Sequence, residues 1–274
     1  MAVEVSIIMA AYNEAECIGD SLASLSHQTH PSYEVIVVDD GSNDGTAEIA
    51  ERKGFRVIRQ AHLGPGLARN SAVPHAGGKI LVFVDADMSF HHEFITKLVE
   101  PFERNGISGT FSKEEYVANW DNPWARCWTI NCGLPDCKRH PDDYPDTDRV
   151  FRAIRRKDFL AVGGYDDMGY SEDHSLSRKL GRLAVSAPGA ICYHSNPGSL
   201  KDVYLSARWF GRGDQIRRDF ITALRHTLSF SLKNGLMRAK RHRNVYYPIF
   251  QVVYDFGVLM GIVQRALNPN RHMK

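Results

Sequence analysis

Apolar runs of strand length alternate with stretches of helical period through the first hundred residues. Residues 5–10 are apolar except for Ser6, the pattern of a strand covered on both faces. Asn13-Glu14-Ala15-Glu16 follows, a side-chain acceptor with a carboxylate three positions on. It predicts a capped helix presenting Ile18, Leu22 and Leu25 on one face. A second strand over 34–38 ends in Asp39-Asp40-Gly41-Ser42, ahead of a helix from about 44 to 53 that Gly54 stops. Strands over 55–59 and 79–84, a weaker helix over 67–76 and an amphipathic helix over 92–104 continue the alternation. Repeated strand–helix units predict a doubly wound, mostly parallel α/β sheet with right-handed crossovers. Such sheets bind ligands beyond the carboxyl ends of their strands. Tyr12-Asn13, Asp39-Asp40 and Asp85-Ala86-Asp87 occupy three of those ends.

From about 107 to 150 the period fails, and Trp120, Trp124, Trp128, Pro123, Pro135, Pro141 and Pro145 predict an irregular, aromatic-rich excursion. Regularity returns over 150–155, then in Gly163-Gly164-Tyr165-Asp166, then in a helix over 171–180 that opens with Glu172-Asp173. A short apolar run over 191–194 precedes two basic helical stretches, 199–211 and 213–230. The last feature is 245–263, apolar but for Asp255 as its sole charge. This divides the chain into an α/β domain over 1–200 and a basic helical tail over 201–274.

Composition is that of a globular protein, 43% hydrophobic and 24% charged, which excludes collagenous and disordered classes. The net charge of +2 conceals a polarity: residues 204–274 carry 13 Lys and Arg against 3 Asp, so +10, leaving −8 on the rest. A basic tail on an acidic body fits an anionic surface. No nucleic-acid recognition motif accompanies it, so a membrane is the expected partner and nucleic acid is not. Asp255 near the centre of 245–263 costs about 2.5–3.5 kcal/mol in a spanning helix. The expected arrangement is therefore monotopic, with the apolar face in one leaflet and the basic stretch on anionic headgroups. The alternatives are a helix packed on the domain with Asp255 paired to an arginine, and a single span in which Asp255 finds a partner. Five cysteines indicate a reducing compartment, and the spacing of Cys127, Cys132, Cys137 and His140 matches no usual zinc pattern. The N-terminus lacks the basic region of a signal peptide.

Two carboxylates flanking a small residue at a strand end, as in Asp85-Ala86-Asp87, can face one hard divalent cation, Mn2+ or Mg2+. A solvated turn gives the same pattern. Carboxylates after a buried strand, as in Asp39-Asp40, can accept from a base N–H and from ribose hydroxyls. Glu172-Asp173 fits the electropositive first turn of a helix, and a carboxylate there can also take a proton from an attacking hydroxyl.

The ordered set Ser6-Ile7-Ile8-Met9-Ala10-Ala11-Tyr12-Asn13-Glu14, the 37–46 run, Gly66-Leu67-Ala68-Arg69-Asn70, Asp85-Ala86-Asp87 and Gly163-Gly164-Tyr165-Asp166 with Glu172-Asp173 resembles the inverting family 2 glycosyltransferases over about 3–195. The resemblance implies the GT-A nucleotide-sugar fold. It implies that Tyr12 and Asp40 hold the nucleotide base, supported by Asp39, with Arg69 near the nucleotide and Ala10, Glu14, Ala86 and Glu172 completing the donor site. Asp85 and Asp87 would hold metal and ribose, with His194 as a third metal ligand and Mn2+ or Mg2+ as the cofactor. Asp173 would be the general base.

Leu205-Ser206-Ala207-Arg208-Trp209 keeps only the Arg-Trp of the motif in processive synthases, which argues against that class. The expected activity is sugar transfer from a nucleotide-diphosphate donor to a hydroxyl of a glycan or lipid-linked acceptor, in cell-envelope, glycolipid or polysaccharide synthesis. The expected place is the cytoplasm, peripheral or monotopic on the inner face of the plasma membrane. The alternatives are a polyprenyl-phosphate sugar synthase and an inactive sugar-nucleotide-binding protein.

Overall fold

The computed structural model describes residues 3–167, 172–212 and 220–267. Its strands are β1 Val5–Ala11, β2 Tyr33–Asp39, β3 Arg56–Arg59, β4 Ile80–Asp85, β5 Met88–Phe90, β6 Gly109–Phe111, β7 Glu115–Val117, β8 Thr147–Asp148, β9 Ala153–Arg155, β10 Ala184–Ser186 and β11 Cys192–His194. Its helices are α1 Ile18–Ser26, α2 Thr46–Arg52, α3 Pro65–Ala72, α4 Phe94–Val99, α5 Pro123–Cys132, α6 Arg156–Ala161, α7 Asp173–Leu180, α8 Leu200–Arg212, α9 Phe220–Ser229, α10 Ser231–His242 and α11 Tyr247–Leu267. They form two compact units: Met1–Tyr116 with Asp142–His194, and Val117–Pro141 with Ser195–Lys274.

The first unit is built on an eight-stranded sheet in the order β3-β2-β1-β4-β9-β6-β10-β8. The pairs β3–β2, β2–β1 and β1–β4 are parallel, while β9 runs antiparallel to both β4 and β6. Alternation along β1 explains its continuous apolar run. Val5, Ile7 and Met9 join a core with Ile18, Leu22 and Leu25 of α1 and Phe94 and Leu98 of α4. Ile8 faces a second core with Ala68 and Ala72 of α3, Phe159 of α6 and Leu176 of α7. Both faces are dry, and each fully buried aliphatic or aromatic side chain contributes about 1.5–3 kcal/mol. A small second sheet takes the order β5-β11-β7.

The expected helix cap at Asn13 is corrected. Helix α1 begins at Ile18 with Cys17 at the cap position and no side-chain cap bond. Asn13 instead stands at φ 56, and its side chain accepts from the Asn43 amide at 3.0 Å. The amides of Asn13, Glu14 and Ala15 donate to Ser42 Oγ, Thr46 Oγ1 and Asp44 Oδ2 at 2.9, 2.8 and 3.1 Å. These polar residues therefore lace the loop after β1 to the loop after β2. Ser171, the expected start of α7, lies outside the described residues, as do 213–219 of the expected helix over 213–230.

In the second unit, part of the excursion expected to be irregular is the helix α5. Asn122 caps it by accepting from the Trp124 amide at 2.9 Å, Pro123 opens its first turn and Gly133 ends it at φ 70. Its period is obscured because Thr129 and Cys127 share its buried face with Ala125 and Trp128. Trp128 packs against Phe210, Phe250 and Tyr254 of α8 and α11. Helices α8 and α11 meet at backbone contact. A Cβ on Gly261 would lie 2.1 Å from the Arg208 carbonyl oxygen, and one on Gly211 would lie 2.3 Å from that of Val258. Asp255 is buried and accepts from Ser231 Oγ at 2.6 Å and Gln251 Nε2 at 3.0 Å. Helix α11 is long and apolar enough to cross a membrane, yet 44% of its apolar stretch is buried within the protein.

Candidate active site

The site residues of the first unit gather at the carboxyl ends of β1, β2 and β4. Asp40, just past β2, is buried and its carboxylate is spoken for. It accepts from the Leu63 and Gly64 amides at 2.9 and 2.8 Å and from Gln60 Nε2 at 2.7 Å. His62 Nδ1 lies 2.9 Å from its other oxygen. Gly41 makes this possible: a Cβ there would lie 2.9 Å from the His62 nitrogen. Tyr12 stacks on the His62 ring at 3.9 Å and 22°. Asp39 is buried beside them, and its Oδ1 has no hydrogen-bond partner among the described residues. His62 carries no motif signal in the sequence; only its proximity to Gly64 and Gly66 hints at a ligand loop.

Arg69 of α3 is the centre of the second cluster. Its guanidinium donates to Asp85 Oδ1 at 2.7 Å, to Asp173 Oδ1 at 3.0 Å and to Glu172 Oε1 at 3.3 Å. Burial opposes its charge, but Asp173 and Asp85 outweigh that and raise its pKa. Burial likewise works against the Asp85 carboxylate, but Arg69, then Arg152, holds it well below the usual carboxylate range. For Glu172 the balance goes the other way: burial, then the charge of Asp173, outweighs Arg69 and pushes its carboxyl up to about 7. Asp173 is the accessible member, with its side chain 41% exposed. The neighbouring Asn70 fixes the turn that leads towards α7, because its side chain accepts from the Tyr165 amide and donates to the Tyr165 carbonyl, both at 2.9 Å. Gly164 leaves room for it; a Cβ there would lie 2.5 Å from Asn70 Oδ1.

Asp87 and His194 form the third cluster, with His194 Nε2 3.1 Å from Asp87 Oδ2. Glu115, which sequence reasoning missed, lies 2.9 Å from the other ring nitrogen, Nδ1. A carboxylate beside Nδ1 is the orienting arrangement common behind metal-bound histidines, and it would leave Nε2 to a cation shared with Asp87. This carboxylate–imidazole pair fits a divalent cation. Asp85 does not join it in this arrangement, because Arg69 and Arg152 lie 2.7 and 3.5 Å from its two oxygens. Ala86 is buried between the two acids, Ala10 and Glu14 are partly buried at the end of β1. Among the described residues, three metal-type donors converge within 4.8 Å only at His91, His92 and Glu93, so Cys127, Cys132, Cys137 and His140 form no such group.

A family model described as glycosyl transferase family 2 matches residues 6–162. The chain is 38% identical over 111 residues to glycosyltransferase AglE of Haloferax volcanii, covering 38% of this chain and 36% of that protein. It is 24% identical over 236 residues to a poly-beta-1,6-N-acetyl-D-glucosamine synthase of Staphylococcus epidermidis, covering 81% and 57%. The chain thus spans only 36% and 57% of the length of these two relatives. Among solved structures, mannosyltransferase PcManGT from Pyrobaculum calidifontis, in complex with GDP-Man and Mn2+, matches with a TM-score of 0.59 at 18% identity, covering 98% of this chain and 88% of that one. S. aureus TarS 1–349 in complex with UDP-GlcNAc matches with a TM-score of 0.58 at 16% identity, covering 96% and 92%. The shared architecture is the GT-A fold expected from the sequence.

Proposed function

This chain belongs to glycosyl transferase family 2, and from that premise we propose that it moves a sugar, with inversion, from a nucleotide-diphosphate donor to a hydroxyl of a glycan or lipid-linked acceptor. The observation that carries the reading is the Arg69 clamp, which gathers one carboxylate from the end of β4 and two from the start of α7. The unpartnered Asp39 Oδ1 would accept from a base N–H beside Tyr12, while Asp40 shapes the 60–64 loop around it. Asp85, already matched by two guanidiniums, serves the ribose side of the donor. Asp87 and His194 would hold Mn2+ or Mg2+, and the imidazole favours Mn2+. Bound there, the ion would offset the charge of the departing diphosphate.

Asp173 would act on the acceptor. As the acceptor oxygen bonds to the anomeric carbon and the sugar–diphosphate bond breaks, the hydroxyl proton passes to the Asp173 carboxylate. Glu172, with its carboxyl pushed up to about 7, holds its proton about half the time at neutrality, which lessens repulsion beside the base. A phosphate acceptor needs no such base, so an accessible Asp173 favours a hydroxyl over the polyprenyl-phosphate alternative. The second unit supports attachment to an anionic membrane surface. Lys233, Lys240 and Arg241 have no acidic partner among the described residues, and Leu232, Leu236 and Met237 beside them are exposed. Each such cation near an anionic surface contributes about 1 kcal/mol.

The test is a screen of nucleotide sugars for Mn2+-dependent hydrolysis, followed by Asp173→Asn on the donor that responds. The variant should lose about 10²–10⁴-fold in transfer and keep donor affinity by calorimetry. A wild-type protein that cleaves no nucleotide sugar, or a variant as active as wild type, would falsify the reading. Flotation with anionic but not neutral vesicles, partly reversed by salt, is expected for the full chain.

A further inference from the structure

The second unit holds a cavity of about 460 Å3 where the start of α5 meets the turn from α10 to α11. Trp120, Tyr246 and Val245 line it together with Arg126, His242 and Arg243 and one acid, Asp136; Arg126 Nη2 also lies 3.8 Å from the exposed Asp121 Oδ1, which is outside the lining. The walls are fixed in place. Trp124 meets Tyr246 edge-on at 5.5 Å, and Arg126 lies over Trp120 at 5.7 Å while its Nε donates to the Trp120 carbonyl at 2.7 Å. Arg243 needs a reason. It ends α10 in the left-handed region at φ 50, where Gly or Asn avoids the Cβ penalty, although Asn244 is its neighbour. Arg243 thus lines the cavity and has no acidic partner among the described residues. From Val245, just ahead of α11, the residues Ile249, Val252 and Phe256 continue at the spacing of one helix face, and all four are between 40% and 80% exposed.

We propose that this cavity is a subsite for a phosphate headgroup carried on an apolar chain, with the headgroup among Arg126, His242 and Arg243 and the chain along the Val245–Phe256 stripe. Guanidinium forks match phosphate oxygens, and the aromatic walls suit the boundary between a polar head and a hydrocarbon. A free anion would have no use for the stripe. A plain hydrocarbon would have none for the cations. The proposal deepens the membrane reading above by naming where one lipid headgroup sits, and it rests on that reading for its class of ligand.

The probe is dihexanoyl phosphatidic acid, titrated calorimetrically into the full chain below its micelle-forming concentration, beside dihexanoyl phosphatidylcholine and inorganic phosphate. Phosphatidic acid should bind saturably at one site, and the other two should bind at least about tenfold more weakly. Arg243→Gly suits the left-handed turn and so keeps the fold; it should weaken binding about tenfold, and Arg126→Gln by a similar factor. Wild-type affinity in both variants overturns the site. So does phosphatidylcholine binding as well as phosphatidic acid, which means apolar contact alone, or inorganic phosphate binding equally well, which means a free-anion site. Vesicle flotation and Mn2+-dependent donor hydrolysis on the same Arg243→Gly protein separate the two levels. A wild-type chain that floats and cleaves donor without binding the probe loses only the subsite, whereas one that binds the probe and fails to float loses the membrane reading.

Discussion

The two units bury charge to different extents. The first places Arg69, Asp39, Asp40 and Glu172 in its interior, with Arg69 and Glu172 in ion pairs and Asp40 among hydrogen-bond donors. The second buries one acid among its described residues, Asp255, with a hydroxyl and an amide donating to it, and gains its cohesion from helices α8 and α11 meeting at glycines. Buried ion pairs often stabilise no more than apolar residues of the same volume would, because desolvation offsets their attraction. The first unit's arrangement is therefore poor value as a scaffold and makes sense as prepared chemistry.

The contrast is most exposed at Arg69. Arg69→Met leaves three acids without their shared counter-charge and should cost about 3–5 kcal/mol in urea unfolding. A loss near zero would mean the clamp is solvated and the two units do not differ. Next comes the pH response of Glu172. Its carboxyl sits at about 7 in the folded chain against an ordinary 4.5, so between those values the unfolded chain has lost a proton that the folded chain still holds. Its contribution is complete at low pH, falls as pH rises from 4.5 to about 7, and then stays flat. The drop should be at most ~3 kcal/mol, and Glu172→Gln should level it. A wild-type chain with no slope in that window refutes the assignment. In the second unit, Gly261→Ala forces α8 from α11 and should cost about 1–3 kcal/mol, measured by thermal unfolding. An unchanged melting temperature there would show that the helices already have slack. The smallest effect is expected at Glu115. Glu115→Gln should weaken Mn2+ binding about tenfold by electron paramagnetic titration of the free ion, with little change in stability.

Strands β1, β2 and β4 are legible from the amino-acid order because a parallel strand dry on both faces reads as an unbroken apolar run. Their polar ends, Tyr12, Asp39 and Asp85, are legible for the same reason, as abrupt stops. Helix α5 is not, since its buried face mixes Cys127 and Thr129 with Trp128 and its cap is an Asn before a Pro. Arg69 can be picked out as part of a motif, but its partners lie 16, 103 and 104 residues away, beyond any local period. Glu115 and Arg152 are missed because each lies in or beside a three-residue strand, too short to show alternation. Asn13 misleads in an informative way. A side-chain acceptor ahead of a helix is read as its cap, and here the competing partner is the Asn43 amide of another loop.

The second unit is also discontinuous along the chain, and that has a consequence in time. Trp128 leaves the ribosome 122 residues before Phe250, the ring it meets edge-on at 6.3 Å. At translation speeds of about 5–20 residues per second, α5 waits roughly ten seconds for the surface that shelters its tryptophan. In the later part of that interval, once residue 194 has emerged, the first unit has all its strands and can close, while an apolar helix in the same nascent polypeptide has nothing to dock on. A trigger-type chaperone, or the membrane itself, is the natural occupant of that gap, and slowing elongation after residue 194 should lengthen the wait and raise the aggregated fraction.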